Sequence, residues 1–266
     1  MRKLNSMVVC WTLTLFLAGD RAFGQTQETK APPGGSTDPA SERDWHVNGT
    51  FYLWLPGIHG QLNAFDSNLG FKASPGDLLS NVDFGLMGLA AIQHKRLVVI
   101  PDLVWTRLST TKTRDAQFPL SPGFSAEVKF TQVVVTPEVG YRLIDDPKIK
   151  IDGLTGFRFW HLGTTVSPVR LLSRSRSNNW VDPLAGARIQ VPLSAKLTAM
   201  IWGDAGGWGA GSQTGYQIVG ALSYKIKPEW ALAAGWRYLF IDYSQNQFHA
   251  EIAQSGIVLG VTHGFK

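Results

Sequence analysis

The stretch Trp180-Val181-Asp182-Pro183-Leu184-Ala185-Gly186-Ala187-Arg188-Ile189-Gln190-Val191-Pro192-Leu193 decides the fold. Its odd positions are Val, Pro, Ala, Ala, Ile, Val and Leu, while its even positions carry Asp182, Arg188 and Gln190. Strict alternation is the signature of a strand with two unlike faces. Fourteen residues of it exceed the roughly 5–6 of an ordinary soluble strand. A strand this long, apolar on one face and charged on the other, has the reach to cross a membrane.

The same pattern recurs on both sides. In 45–55 the odd positions are Trp, Val, Gly, Phe, Leu and Leu, and the even ones His, Asn, Thr, Tyr and Trp. In 82–92 Val82, Phe84, Leu86, Gly88, Ala90 and Ile92 share a face, with Asp83 between them. Further runs occupy 97–111, 125–143, 148–166, 196–210, 214–227, 230–244 and 251–265, which with 44–63, 82–94 and 180–193 makes ten. Joints at His94-Lys95-Arg96, Asp145-Asp146-Pro147, Leu193-Ser194-Ala195 and Lys227-Pro228-Glu229 are tight and built from turn residues. Those at 64–81, 112–124 and 167–178 are long and polar, and those at 211–213 and 245–250 are shorter. Tight turns at one end and longer loops at the other describe an all-β, antiparallel, up-and-down transmembrane β-barrel. The expected count is about ten strands, with eight or twelve open, because 57–74 could form a hairpin of its own above the membrane.

The composition agrees. Of 266 residues 44% are hydrophobic, which excludes disorder, and only 17% are charged, fewer than helices with solvated faces require. Beyond residue 24 no apolar run approaches the ~18 residues of a spanning helix. Arg2 and Lys3, the apolar stretch Met7 to Gly19 and the small residues around Ala22-Phe23-Gly24 read as an export signal over 1–24. The polar, Pro- and Gly-containing segment 25–43 then reads as a flexible periplasmic lead, and 44–266 as the barrel. The lone cysteine, Cys10, falls within the signal, so disulfide and thiolate chemistry are excluded from the mature chain. Loss of Arg2, Lys3, Arg21 and Asp20 lowers the net charge from +5 to +3. That is too little to argue for nucleic acid.

The charges decide which face is inside. With the polar face inward, the lumen collects Asp83, Asp102, Glu138, Arg142, Asp152, Arg158, Asp182, Arg188, Asp204 and Arg237. A soluble barrel does the reverse. Acids and arginines interleave, so a ladder of Arg–carboxylate pairs across the axis is expected. It serves either as a selectivity lining or proton-linked gate, or as a salt-bridged filling. Ten strands favour the filling, since open aqueous channels come at about 16–18.

Several motifs of the chain resemble those of small outer-membrane β-barrel proteins of Gram-negative bacteria. They are Tyr52-Leu53-Trp54-Leu55-Pro56-Gly57-Ile58, Asp77-Leu78-Leu79 followed by Asp83-Phe84-Gly85, Trp180-Val181-Asp182-Pro183, Gly203-Asp204-Ala205-Gly206-Gly207 and Trp236-Arg237-Tyr238-Leu239. The resemblance covers about 45–265 and implies outer-membrane location and barrel architecture, with no agreed chemistry. Phe265, penultimate before Lys266, resembles the aromatic end that barrel-assembly machinery reads.

Other candidate sites are few. Ser74-Pro75-Gly76-Asp77 has cap, first-turn proline and third-position acid, so a short helix is expected. Asp77, Leu78 and Leu79 would form a lid over the lumen or a helix packed on its rim. The loop 167–177 holds Arg170, Arg174 and Arg176 without an acid. It is either solvated or a grip for the phosphates of outer-membrane lipids and lipopolysaccharide, the partners expected at that surface. The glycines of 203–211 lack phosphate-loop spacing, and a strand follows them. The six histidines show no metal-ligand pair, and no cofactor or metal is expected. Asn48-Gly49-Thr50 matches a glycosylation pattern but sits inside a strand. The function expected is structural or at the surface, with at most limited passage of small solutes and no catalytic residues. The alternatives are a lipid-active enzyme, in which His161 or His249 meets Ser and Asp, and a soluble exported barrel carrying an apolar ligand.

Overall fold

The computed structural model describes residues 45–64, 67–114, 124–168, 173–245 and 248–265. The expected signal and lead, 1–24 and 25–43, lie outside the described residues. Eleven strands follow in order: β1 (Trp45–Ala64), β2 (Ser67–Ala73), β3 (Val82–His94), β4 (Leu97–Arg114), β5 (Phe124–Asp146), β6 (Ile149–Pro168), β7 (Arg174–Pro192), β8 (Leu197–Gly207), β9 (Thr214–Lys227), β10 (Trp230–Gln245) and β11 (Phe248–Phe265). Among the described residues one helix, α1 (Pro75–Asn81), stands between β2 and β3. Each strand pairs antiparallel with its neighbour, and β11 returns to β1 from Val47↔Phe265 to Asn63↔His249. β2 pairs with β1 alone, from Ile58↔Ala73 to Ala64↔Ser67, and stands outside the closed ring. The result is a closed ten-stranded up-and-down barrel with one extra hairpin strand, the hairpin expected over 57–74.

Closure removes every lateral edge except where a partner strand departs. The exterior keeps large apolar side chains in the open, among them Phe51, Leu53, Phe157, Val181, Ile201, Ile218, Leu232 and Leu259. Aromatic residues rim this band. Trp45, Tyr141, Tyr224, Trp230 and Phe265 lie toward the tight-turn end, and Phe84, Trp105, Phe159, Tyr216 and Trp236 toward the loops. On β4 eight residues separate the level of Tyr141, which pairs with Leu97, from Trp105. At ~3.3 Å per residue and a tilt near 40°, that is roughly 20 Å of apolar height, close to the ~25 Å of an outer-membrane band.

The interior is the charged face, as the alternation implies. On β4 to β8 and on β1 and β11 the even positions point inward, and on β9 and β10 the odd ones do. Tight coiling of this narrow sheet needs small residues where strands approach closely. A Cβ on Gly156 would overlap the Pro137 carbonyl, and one on Gly186 the Gly203 carbonyl.

Candidate functional site

The lumen is built in layers. At the tight-turn end Asp152 on β6 accepts from two arginines. Arg142 Nε on β5 donates to Oδ1, and Arg188 Nη2 on β7 donates to Oδ2 at 2.8 Å. Arg142 also reaches Asp145 at 3.3 Å. Above this triad lies an apolar layer of Val98, Ile100, Leu154, Trp202 and Val219.

The next layer holds most of the charge. Arg237 on β10 donates to Asp102 Oδ2 (2.9 Å), to the Tyr52 hydroxyl (2.8 Å) and to Gln217 Oε1 (2.7 Å). The Tyr52 hydroxyl donates to Asp102 Oδ1 at 2.6 Å, and the guanidinium lies 4.9 Å from the Trp54 ring. Four strands therefore converge on one cation. Beside it Arg158 Nη2 donates to both Asp204 oxygens (2.8 and 2.9 Å), while its Nε donates to Thr136 at 3.1 Å. Glu138 is buried at this level, with the Trp202 side chain, Asp204 and Arg158 as its polar neighbours.

Higher still, Gln132 and Gln254 exchange amide hydrogen bonds of 3.2 and 2.7 Å. A second apolar layer then closes the bore with Trp160 stacked on Trp180 (5.7 Å), Trp180 on Tyr243 (4.0 Å) and Phe248 beside Tyr243 (5.9 Å).

Asp102, Glu138, Arg142, Asp152, Arg158, Arg188, Asp204 and Arg237 all point into the lumen and are buried there. Among the described residues three acids of the expected set, Glu138, Asp83 and Asp182, form no ion pair with arginine. Asp83 is exposed at a β-bulge where the β3–β4 register slips between Val82 and Phe84, and it accepts from Ser109 at 2.6 Å. The extra residue breaks the alternation, so parity counted from Leu86 misplaces it. Asp182 is lumenal and buried, but it accepts from the Ser212 backbone N–H (2.6 Å) and from Trp180 Nε1 (3.2 Å). The donor comes from the glycine-rich turn after β8, where Gly207, Trp208 and Gly209 all have positive φ. A Cβ on Gly207 would crowd Ser212, so the turn that brings the Ser212 amide to Asp182 needs glycine there.

α1 forms as expected. Ser74 accepts from Asp77 N–H, and Asp77 accepts from Ser74 N–H, a complete capping box. Leu78 packs against the upper apolar layer, whereas Leu79 is half exposed. The arginine segment departs from expectation. Arg174 and Arg176 lie in β7 rather than in a loop, paired with Val166 and Thr164. Arg176 takes the inward parity and sits 5.1 Å over the Phe248 ring, so it is partnered within the barrel. Arg170 lies outside the described residues.

Tyr52, Gln217, Thr136 and the Gln132–Gln254 pair are absent from the expected site because a census of charges passes over neutral groups. Their signal was parity alone. His161 meets Asn179 at 2.6 Å, and His249 lies 3.7 Å from Asp242. Among the described residues no group of three or more His, Cys, Asp or Glu side chains is placed to hold a metal ion.

No family model and no curated protein matches the chain. Solved structures do match. The outer membrane protease OmpT of Escherichia coli aligns with a TM-score of 0.58 at 10% identity, over 86% of this chain and 100% of that one. The fold is that of a Gram-negative outer-membrane β-barrel protein. The translocator domain of the autotransporter NalP from Neisseria meningitidis aligns at TM-score 0.41 and 13% identity, over 84% of this barrel chain and 89% of its own. Ail, the attachment invasion locus protein of Yersinia pestis, aligns at 0.35 and 14%, over 83% and 98%. At 10% identity the OmpT likeness is one of architecture, and the lumenal chemistry has to be read from this chain's own residues.

Proposed function

We propose that this protein is a structural or surface barrel of the outer membrane whose lumen is a packed core, with at most limited passage of small solutes. One observation carries the reading. In the ring of ten strands, Arg237–Asp102 joins β10 to β4 and Gln132–Gln254 joins β5 to β11, each pair four places apart. Side chains that clasp one another from nearly opposite walls leave no continuous bore. The aromatic stack above and the apolar layer below reinforce the same block.

The polarity of the two faces supports a membrane barrel over a soluble carrier, which would need its apolar face inside. The OmpT likeness is one of fold and supplies no catalytic residue to this chain.

Cysteine labelling tests the reading. Without Cys10 the chain has no thiol, so Thr136→Cys introduces a unique one at the level of Arg158. In the folded barrel it should stay unreactive toward a charged, water-soluble maleimide and react only after unfolding. Prompt labelling of the folded protein would show that water and solutes reach the centre, and the packed-core reading would fail.

A further inference from the structure

The barrel wall has an opening. β1 and β3 pair from Trp45↔His94 only as far as Phe51↔Gly88, and beyond that the two strands part. β1 runs on to pair with β2 from Ile58, while β3 continues down from α1 beginning at Val82. Residues 52–57 of β1 and 82–87 of β3 therefore face each other across a seam with no backbone ladder.

The sequence is adapted to this seam. An unpaired strand edge exposes N–H groups that need acceptors. Trp54 N–H donates into the seam to the Met87 sulfur at 3.2 Å. Pro56, two residues on and pointing the same way, has no N–H to satisfy. Two positions of the β1 edge thus leave no stranded donor although no partner strand stands there. A thioether is a weak acceptor on a flexible side chain, so the closure is soft.

The seam joins inside to outside. A trough on the lipid-facing exterior and a cavity of about 90 Å³ within the wall share Leu53, Gly85 and Met87 as lining. The inner cavity is walled by apolar groups such as Ile58, Val104 and Phe130, roofed by Leu78 of α1, and floored by the mutually satisfied Gln132–Gln254 pair. Gly85 stands at the junction, and a Cβ built there meets nothing within 4 Å. At the mouth the outward residues are Leu53 and Leu86, at the level of the Phe84–Trp105 pair that rims the lipid band.

We propose that this seam is a lateral binding site for a hydrocarbon chain, the acyl tail of a lipid in the leaflet at the long-loop end. The mouth opens on hydrocarbon at the height where such tails are the solvent, and the path is apolar apart from the self-paired Gln132–Gln254 amides, the Thr106 hydroxyl and the Trp54 indole N–H. A volume of about 90 Å³, three times the ~30 Å³ share of a water molecule, takes the last few carbons of a chain. The Met87 side chain is the movable gate, and α1 holds the cavity closed from above.

Trp54 reports occupancy, because it lines the cavity yet is shut off from the bulk lipid. Full-length protein is reconstituted in phosphatidylcholine vesicles, either unmodified or brominated near the methyl end of the acyl chain, on the carbons that would enter the cavity. The emission of Trp54 is obtained as the difference between wild type and Trp54→Phe. Bromine quenches on contact, so the proposal expects this difference emission to be lost in brominated vesicles and restored when both proteins also carry Gly85→Leu, which fills the junction. Trp54 emission indifferent to bromine, or quenched equally with Gly85→Leu, overturns the site. Should Trp54→Phe not fold, native mass spectrometry of wild type and Gly85→Leu decides. The proposal expects one tightly retained phosphatidylcholine fewer in the variant, and equal retention refutes it.

Discussion

Replacing Arg237 by methionine removes one charge and strands several partners at once. The guanidinium is buried and holds Asp102, Tyr52 and Gln217 at 2.7–2.9 Å. Methionine approximates its volume, so little cavity cost is added, and the loss is electrostatic. Each hydrogen bond to a charged group is worth ≈ 1.5–3 kcal/mol net, but the three share one cation and do not sum. The larger effect is that Asp102 stays buried with only Tyr52 as donor, and breaking a buried pair from one side costs about 3–5 kcal/mol. Arg237→Met should therefore destabilise the barrel by roughly that amount, a large part of the 5–15 kcal/mol typical of a folded domain. Adding Asp102→Leu removes the orphaned carboxylate and should recover at least about 2 kcal/mol of the loss. Urea unfolding in phospholipid vesicles, followed by tryptophan fluorescence, measures both. A single-mutant cost below about 1 kcal/mol, or losses that simply add, would mean that the lumenal ion pair is hydrated and the layer is not a core.

Neighbouring residues of β7 test the facing. Ala185→Leu on the lipid face should change stability by no more than about 0.5 kcal/mol, whereas Ala185→Arg should cost about 2–4. Gly186→Leu should abolish the heat-modifiable band on gels, because its Cβ would overlap the β8 backbone; a folded Gly186→Leu barrel would refute the register. Leu184 is buried in the lumen rather than bathed in water, so Leu184→Arg should damage folding as severely as Ala185→Arg. Ser74→Ala should lose about 1 kcal/mol of local helix stability at α1, seen as faster amide exchange over Pro75–Asn81, with the global urea midpoint unchanged. Arg176→Gln should cost about 0.5–1 kcal/mol through loss of the Phe248 contact, while Arg174→Gln should be neutral in the same urea titration.

The fold was legible because a membrane barrel writes its two faces in strict alternation. Asp182 and Arg188 between Val181, Ala187 and Ile189 already state which side meets lipid. Parity also placed Glu138, Arg158 and Asp204 inside. It fails where the backbone inserts a residue, and the bulge at Val82–Phe84 carries Asp83 out of the lumen. It says nothing of partners either. Asp182 answers to a backbone amide presented by a left-handed turn, and no charge count finds such a donor. Arg176 reads as free because the alternation is plain only from Trp180 onward, yet β7 begins before it and keeps its inward phase there. The seam at β1–β3 was invisible for a further reason: where a ladder stops depends on two strands at once, and each strand alone still alternates.

The central claim is that the lumen is sealed by its own side chains. Single-channel recording in planar bilayers tests it most directly, with the intact protein at neutral pH and moderate salt. The account predicts a silent membrane, or rare brief openings, after insertion has been verified by gel mobility. A large, steady, ohmic conductance from each inserted barrel would show a continuous water column past Arg237 and contradict it.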